Sequence, residues 1–387
     1  MAADDLPGTD LPASSVGIAV DRSPLLDLPG AVAATGRDAG IAWHYGDPVG
    51  EQRAAVRSAA LFDRSHRSVL TVTGADRLRW LHTLTTQAVD DLPDGAGTQA
   101  LVLSPTGHVE HAFAVTDLAG TTFLDTEPDR GASLLAYLGS MVFWSDVRPE
   151  RTDLAMLELT GPTAADILTA AELPVPLTGG VALSTGFVRR AGLPPGAVPT
   201  FEIVCARDEL GPLALRLTGA GARPAGSWAH DALRIEARRP RIGVDTDDRS
   251  IPNELPWLDT AVHLAKGCYR GQETVARVHN LGRPPRRLVL LHLDGSVDTL
   301  PEPGDDVQTA QGRTVGRVGT VAHHHENGPI ALALVKRTVQ PGVPLLAGGV
   351  DAAVDPDDAV VDGPGSGPPR SVIDRSSLPD LRRPGRG

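Results

Sequence analysis

The chain has 387 residues, 41% of them apolar and 4% aromatic, and its formal charge of −12 disfavours direct binding to the phosphate backbone of RNA or DNA. It has no continuous apolar run of about 20 residues and no basic, apolar leader, so we expect no membrane span, no signal peptide and a cytoplasmic protein. With only Cys205 and Cys268, one chain has too few thiols for a disulfide scaffold or for a cluster held by about four cysteines.

Both ends of the chain have the composition of disordered segments. Residues 1–37 are rich in Asp, Pro, Gly and Ala, and residues 351–387 are rich in Gly, Pro and Arg. Such segments cannot bury enough apolar surface to offset the entropy lost on ordering. We predict a disordered tail at each end. The arginines of the second tail suit a peptide that docks to a partner, although a solvated tail is the favoured interpretation.

Between the tails, a pattern of elements occurs twice. The first copy predicts a strand at 69–74, a helix at 78–84, a hairpin of 99–104 and 109–116, and a helix at 129–138. The second copy predicts a strand at 156–161, a helix at 164–171, a hairpin of 184–190 and 200–206, and a helix at 208–217. We therefore predict an α+β fold with two related, ferredoxin-like units at 38–150 and 151–284. Chance similarity of two short segments remains an alternative.

Residues 285–350 have a different pattern. Short alternating runs are separated by Gly, Pro and Asp turns, which predicts a small antiparallel β-barrel. The pair Pro284-Pro285 marks its boundary because consecutive prolines interrupt regular structure. Within this part, His323, His324 and His325 project in different directions, so a hairpin turn is favoured over a metal site.

The segment KGCYRGQE, Lys266 to Glu273, concentrates reactive and polar groups in eight positions. Its glycines permit close backbone approach, and Lys266 lies near enough in sequence to favour the thiolate of Cys268. Residues 274–279 alternate as a strand, which would place the segment on the loop before it. The alternative is a tight structural turn with an incidental cysteine. Cys205, in an apolar strand, is predicted to be core.

Two further residues are candidates for ligand binding. Glu202 lies between Phe201 and Ile203 in a strand, and a carboxylate there must be solvated or paired. It suits the two adjacent N–H donors of a pterin; an exposed outer face is the alternative. Arg234, on a predicted helix, can bind a carboxylate in fork geometry or can pair at the surface with Asp231 or Glu236. The stretch 63–66 is interpreted as a loop.

KGCYRGQE, followed by Ala276 and Arg277, resembles the signature of the YgfZ family, a branch of the superfamily of the glycine-cleavage T-protein. The stretches 54–84, 233–245, 251–259 and 312–321 are similar to other parts of that family. The resemblance covers the chain from about Trp43 to Lys336. It implies two related α+β units and a terminal barrel that form a three-part ring around a tetrahydrofolate site.

The same resemblance implies roles for individual residues. Glu202 matches the position that holds the pterin in T-proteins, and Arg234 matches an arginine near the glutamate tail of the folate. Cys268 matches the cysteine of the YgfZ family, with Lys266 beside it as the second catalytic candidate. The remaining signature residues implied to contact folate are Tyr269, Gln272 and Glu273.

What the resemblance implies about function is a tetrahydrofolate-binding accessory factor in iron–sulfur cluster assembly or repair. Its partners would be folate and, transiently, iron–sulfur enzymes or assembly factors, and any effect on tRNA modification would be indirect. T-proteins carry an acidic pair on the second strand of the first hairpin, where this chain has His111 and Ala112. Glu110 would point to the other face of that strand. This departure argues against the alternative of a folate-dependent aminomethyltransferase or demethylase; a third alternative is a scaffold that has lost ligand binding.

Overall fold

The computed structural model describes residues 21–192, 197–297 and 299–360. Two sheets of five and six strands, each with helices, are followed by a closed barrel of six antiparallel strands. This architecture confirms the predicted α+β class and the terminal barrel. Residues 1–20 and 361–387, which make up most of the two predicted tails, lie outside the described residues.

Residues 21–57 form an ordered N-terminal segment. Short 3₁₀ turns at 24–27 and 36–38 alternate with β1 (Val32–Ala33) and β2 (Ala42–His44), and α1 (Pro48–Arg57) follows. Asp47 caps α1 by accepting a hydrogen bond of 2.9 Å from the amide of Gly50. The prediction of disorder is wrong for residues 21–37, because the side chain of Leu25 is buried in the core of the second sheet.

The first α+β unit contains the five-stranded sheet. Its elements, with the preceding strand β3, are β3 (Ala60–Asp63), β4 (Ser68–Thr73), α2 (Arg77–Leu84), β5 (Gly97–Leu103), β6 (Val109–Leu118), β7 (Thr121–Thr126), α3 (Gly131–Ser140) and β8 (Arg148–Arg151). The strand order is β5-β6-β7-β4-β8, and Leu70, Phe113 and Leu134 are among the residues of its core.

The second unit repeats this order with one strand added. Its elements are β9 (Leu154–Thr160), α4 (Ala164–Ala170), β10 (Gly180–Ala182), β11 (Phe187–Arg190), β12 (Thr200–Ala206), α5 (Leu210–Gly219) and β13 (Arg223–Ala225). The strand order is β10-β11-β12-β9-β3-β13, which matches the first sheet strand for strand except for the inserted β3. A boundary at residue 150 therefore misplaces β3, whose Leu61 packs with Leu157 and Leu159 of β9.

The last part of the chain comprises three helices and the barrel. Its elements are α6 (Ser227–Glu236), α7 (Trp257–Thr260), α8 (Gln272–Leu281), β14 (Arg286–Leu293), β15 (Asp306–Thr309), β16 (Thr314–His324), β17 (Gly328–Lys336), β18 (Leu345–Ala347) and β19 (Val350–Val354). Strand β19 pairs with both β14 and β18 and so closes the barrel, and a 3₁₀ turn at 356–358 packs against β14, which makes the prediction of a disordered tail wrong for residues 351–360. In the part of the chain that the structure describes, no helix is long and apolar enough to cross a membrane.

The predicted strand at 274–279 is wrong, because these residues form most of α8. Gly271, with φ +81°, precedes the helix and Gly282, with φ +64°, ends it. Val275 and Val278 are three residues apart, so they share a helical face, and Val275 is fully buried. The signature segment thus leads into a helix and contributes its first turn.

Candidate functional site

A cavity of about 610 Å³ lies between the two sheets. Its wall is built from β5, β6 and β7 of the first unit, from β9, β11 and β12 of the second, and from α6 and α7. Six arginines and four carboxylates line it, together with His230 and apolar side chains such as Leu101 and Trp257. This mixture of apolar wall and converging polar groups is typical of a small-molecule site.

Arg189 is the centre of the charged network between the sheets. From β11 of the second unit, it donates to a carboxylate oxygen of Glu202 at 2.6 Å and to one of Asp125, on β7 of the first unit, at 2.6 Å. A third hydrogen bond of 3.0 Å goes to the hydroxyl of Thr116. The network therefore joins the two units across the cavity.

Further arginines extend the network away from the cavity. Arg67 lies 2.9 Å from Asp125 and 2.7 Å from Glu127, and Arg241 lies 2.7 Å from both Glu127 and Asp38. Burial alone would raise the pKa of Glu127, but the charges of Arg241 and Arg67 hold it well below its usual range. Glu127 is therefore ionised and fully occupied by its partners.

Glu202 lies where the sequence predicted a ligand-binding carboxylate, on the cavity wall. Its side chain is 19% exposed, more than those of the other cavity carboxylates, Asp125 at 5% and Glu158 at 7%. Among the described residues, the hydrogen bond from Arg189 is the one that its carboxylate receives. One of its two oxygens thus remains available to a ligand.

Arg234 also lines the cavity, but its guanidinium group is largely occupied. It lies 2.6 Å from Asp231 and 2.8 Å from Asp245, and it also donates to the carbonyl of Arg239 and the hydroxyl of Thr320. A guanidinium has five N–H donors, so at most one is left for a ligand. The surface position that was the alternative is wrong because Arg234 is buried, whereas the pairing with Asp231 is confirmed.

The wall position that matches the acidic pair of T-proteins holds no carboxylate. Ala112 lines the cavity, while the ring of His111 lies on the opposite side of β6, with its centroid 6.0 Å from that of Tyr137. Burial and the charge of Arg130 lower the pKa of His111 to about 4. Glu110 sits at a bulge of the hairpin and forms an ion pair of 3.2 Å with Arg270.

The signature segment does not line the cavity, so the structure separates it from Glu202 and Arg234. Its lysine points into the protein, where the ammonium group of Lys266 donates to the carbonyl oxygens of His82, Thr85 at 2.8 Å and Gln87 at 2.9 Å. All three ammonium protons are used at the end of α2. Burial lowers the pKa of Lys266 to about 8. The ammonium group of Lys266 forms its hydrogen bonds with these carbonyls and none with Cys268, so no contact supports the predicted activation of the thiol.

The other signature residues divide into packed and exposed groups. Tyr269 is buried, with the ammonium nitrogen of Lys266 at 5.5 Å from its ring centroid, and Gln272 donates to the carbonyl of Lys266 at 3.2 Å. Cys268 and Glu273 are exposed. The buried residues hold the loop, and its thiol faces solvent.

The thiol of the second cysteine, Cys205, is not accessible to solvent. Cys205 is buried in β12, as predicted, and burial raises the pKa of its thiol to about 12. Of the three consecutive histidines, His323 and His324 end strand β16 and only His325 lies in the turn to β17, so the predicted hairpin turn begins later than expected. Within residues 21–192, 197–297 and 299–360, no three His, Cys, Asp or Glu side chains are placed to hold a metal ion.

Sequence interpretation missed the arginines of the wall. Arg64 lies in the loop between β3 and β4, as predicted, but the sequence pattern does not reveal that it, Arg189 and Arg239 face a cavity. The available signal was the clustering of arginine at the ends of apolar segments, in 187–190 and 233–241. Which of these side chains faces a cavity depends on the pairing of strands that are distant in sequence.

Two protein-family models match this chain, one over its N-terminal part and the other over the C-terminal barrel. The GCVT N-terminal domain matches residues 30–176, and the CAF17 C-terminal β-barrel domain matches residues 286–360. The aminomethyltransferase of Symbiobacterium thermophilum is 30% identical over 307 residues, which are 71% of this chain and 78% of that protein. That of Pseudomonas syringae pv. tomato is 31% identical over 252 residues, 61% of this chain and 69% of that protein.

Two other proteins extend the comparison. A chloroplastic protein of Arabidopsis thaliana is 26% identical over 306 residues, 71% of this chain but 65% of its own length, just short of two thirds. The crystal structure of the glycine cleavage system aminomethyltransferase T from Bartonella henselae superposes with a TM-score of 0.76. It covers 85% of this chain and 94% of its own, at 22% identity, so this likeness concerns the fold.

Proposed function

The chain belongs to the aminomethyltransferase superfamily with the domain architecture of its YgfZ/CAF17 family, and from this premise we propose that it is a tetrahydrofolate-binding accessory factor in iron–sulfur cluster assembly or repair. It acts in the cytoplasm, and its effects on tRNA modification are indirect, through iron–sulfur enzymes. The folate binds in the cavity between the sheets. The observation that carries this proposal is Glu202, a cavity carboxylate with one oxygen left for a ligand.

The chemistry of this carboxylate fits a pterin. The ring presents two adjacent N–H donors, and a charged acceptor forms shorter and stronger hydrogen bonds with such donors than a neutral one does. Arg189 holds Glu202 in place through an ion pair of 2.6 Å, so that a ligand meets an oriented acceptor. The apolar wall around Leu101 and Trp257 accommodates an aromatic ring.

The absence of a carboxylate at Ala112 favours an accessory role over one-carbon transfer. Stabilising a developing iminium ion requires a negative charge near the reacting carbon. In the described part of the cavity, the carboxylates that remain are engaged by arginine or histidine, and Glu110 pairs with Arg270 outside the wall. The folate therefore serves as a ligand or a redox partner.

The iron–sulfur part of the proposal centres on Cys268, an exposed thiol on a loop held by Lys266. A single accessible cysteine suits transient contact with a cluster or thiol of a client protein. Stable binding of a cluster normally requires about four cysteine ligands. The proposed partners are iron–sulfur enzymes or their assembly factors. Tyr269 and Gln272 act by shaping the loop, and Glu273 lies beside it in reach of a partner.

Titration of tetrahydrofolate against the wild type and Glu202→Gln tests the ligand. Loss of a charge-assisted hydrogen bond is worth about 1.5–3 kcal/mol, so we expect Kd to rise about 10- to 100-fold. Glu209→Gln, an exposed carboxylate outside the cavity, is the control and should leave Kd unchanged. Equal affinity of wild type and Glu202→Gln would remove Glu202 from the site.

Complementation of a deletion strain tests the accessory role. We expect Cys268→Ala to restore iron–sulfur enzyme activity poorly, while Cys205→Ala restores it in proportion to the amount of folded protein. Full restoration by Cys268→Ala would eliminate the thiol mechanism.

The aminomethyltransferase relatives, at 30–31% identity, favour a second candidate, folate-dependent transfer or demethylation. Turnover of a methylamine donor with tetrahydrofolate would support it. We expect no turnover by the wild type and none by Ala112→Asp. Turnover by Ala112→Asp would show that the acidic group alone is missing.

A further inference from the structure

Arg64 is a buried guanidinium group without an ion pair. It is 4% exposed and lines the cavity. Among the described residues, a guanidinium nitrogen of Arg64 lies 3.5 Å from Nδ1 of His230, and no carboxylate oxygen lies within 4 Å of the guanidinium group. By contrast, Arg67, Arg189 and Arg234 on the same wall all have carboxylate partners.

Arg239 is the second cavity arginine with unused donors. It lies just beyond α6, where its amide donates to the carbonyl of Arg234 at 2.8 Å. Its Nε atom is buried and has no hydrogen-bond partner among the described residues. Buried N–H groups are nearly always hydrogen-bonded in folded proteins, so this donor in the cavity wall is available to a ligand.

The two guanidinium groups act on the same pair of residues, Glu158 and His230. Nε2 of His230 lies 3.3 Å from Glu158, and Thr160 donates to the same carboxylate at 3.1 Å. Burial and the charges of Arg64 and Arg239 lower the pKa of His230 to about 4, which leaves the imidazole neutral at pH 7. Glu127, the other carboxylate whose charge acts on Arg64, is already paired with Arg67 and Arg241, so Glu158 is the carboxylate that Arg64 and Arg239 share.

We propose that Arg64 and Arg239 form an anion subsite, which binds a carboxylate or phosphate group of a ligand inside the cavity. An unpaired buried charge destabilises the fold, and the bound anion removes that penalty. A guanidinium presents its donors in a planar fork that matches both kinds of oxyanion. Carboxylate and phosphate share this chemistry, and the experiment separates them.

The position of the subsite defines the shape of its ligand. Glu202 of β12 pairs with Glu158 of β9, which pairs in turn with Phe62 of β3. Arg64 follows β3, and its amide donates to the carbonyl of Met156 at 3.0 Å. Arg64 and Glu202 are therefore two strand spacings apart across the sheet and two residues apart along it, roughly 12 Å. One elongated ligand with N–H donors at one end and an anion at the other spans both, and this last step rests on the proposed folate function.

Thermal unfolding and calorimetric titration of the full chain test the subsite. The probes are inorganic phosphate, glutarate and tetrahydrofolate at constant ionic strength, and the variants are Arg64→Met and Arg239→Met. Arg216→Met, at an exposed position of α5, is the matched control. Without anion, we expect Arg64→Met to unfold a few degrees higher than the wild type, because a buried unpaired charge is removed.

With anion, we expect phosphate or glutarate to raise the Tm of wild type and Arg216→Met saturably, and the Kd of both cavity variants to be at least about tenfold weaker. A preference for glutarate identifies a carboxylate subsite and a preference for phosphate a phosphate subsite. Arg64→Lys keeps the charge without the fork, and should fall between wild type and Arg64→Met.

Equal anion responses in wild type and Arg64→Met, or no saturable response of the wild type to any probe, would overturn the subsite. If Arg64→Met does not fold, the same comparison on Arg239→Met decides. Anion binding without tetrahydrofolate binding would reject the proposed function and keep the subsite. Unchanged tetrahydrofolate binding together with unchanged anion responses in both arginine variants would reject the subsite and keep the function.

Discussion

Two histidines of the molecule are held neutral by their surroundings. His230 lies against the ring of Phe62 and beside Glu158 under the cavity, and His111 packs near Tyr137 on the outer side of β6. Burial is the largest cause that lowers each pKa, to about 4, and a neighbouring arginine adds to it. Both rings must therefore gain a proton upon unfolding at mildly acidic pH, because a histidine in an unfolded chain has a pKa near 6.5.

This difference predicts acid lability. The folded pKa values lie below 6.5, so between pH 6.5 and pH 4 the unfolded state binds protons that the folded state does not. The stability that comes from keeping these two rings neutral is fully present above pH 6.5 and is lost as the pH falls toward 4. Near pH 5.5, each histidine adds about 1.2 kcal/mol per pH unit to the slope of the free energy of unfolding against pH. We expect His230→Gln to reduce the slope of the free energy of unfolding by about that amount, measured by urea denaturation between pH 5 and 6.5.

The exposed His279 of α8 supplies the control, and His279→Gln should keep the slope of the wild type. An unchanged slope in His230→Gln would mean that this ring is protonated in the folded state.

Residue roles were predictable from the sequence where one strand or one motif decides them. Cys205 lies on the core side of β12 as the apolar strand predicted, whereas the ligand-binding role of Glu202, which lies at the cavity wall, was implied only by the family resemblance. Lys266 was predicted beside the thiol, but its ammonium group meets three carbonyls at the end of α2, far away in sequence. The partners of an arginine or lysine come from other elements, so their pairing followed only from the fold.

At the scale of elements, the signature loop packs on the turn of the first hairpin. A Cβ atom at Gly107 would lie 2.7 Å from Cβ of Thr274 on α8, and one at Gly271 would lie 2.6 Å from the carbonyl oxygen of Ser104. Both glycines have positive φ, +88° and +81°. The ion pair between Glu110 and Arg270 joins the same two elements. Backbone contact this close requires glycine on both sides.

We therefore expect Gly271→Ala to be more destabilising than Gly282→Ala, although both residues flank α8 with positive φ. At Gly282 no atom lies within 4 Å of the added Cβ, so only the left-handed conformation is penalised, by about 1 kcal/mol. At Gly271 the clash with the hairpin adds about 1–3 kcal/mol. Urea denaturation of the two variants measures the difference. Equal losses of unfolding free energy in the two variants would show that the hairpin moves to accommodate the added methyl group at no energetic cost.

Hydrophobic alternation predicted most elements of the repeat, and it failed where the period was ambiguous. The strand and helix that open each unit were found, as were the hairpins β5–β6 and β11–β12. By strand order, however, β11–β12 corresponds to β6–β7, so the two predicted hairpins are not equivalent. The short strand β10 was missed, and six residues of α8 were taken for a strand because alternation over so short a run fits both periods.

At the scale of the whole molecule, the cavity exists because arginines tie the two sheets together. Thr116 and Asp125 belong to the first sheet and Glu202 to the second, and Arg189 donates hydrogen bonds to all three. Arg67 and Arg241 continue the chain of charges to Asp38 in the N-terminal segment. A pair of units built from a repeat has two similar faces to dock, and this network fixes one arrangement. The repeat was predictable, but the polar interface was not, since its members are up to about 200 residues apart in sequence.

This view predicts that Arg189 and its neighbour Arg190 differ sharply in their effect on stability. Arg189→Met leaves the half-buried Glu202 without a cation and Asp125 with Arg67 as its remaining partner, which costs about 3 kcal/mol. Arg190 is exposed and only stacks over Phe201 at 5.8 Å, so Arg190→Met should change the free energy of unfolding by no more than about 0.5 kcal/mol. Adding Asp125→Asn to Arg189→Met should cost less than the sum of the single changes, because the first substitution already breaks their contact. Additive losses would place the two residues in separate interactions and would leave the docking of the units to apolar contacts alone.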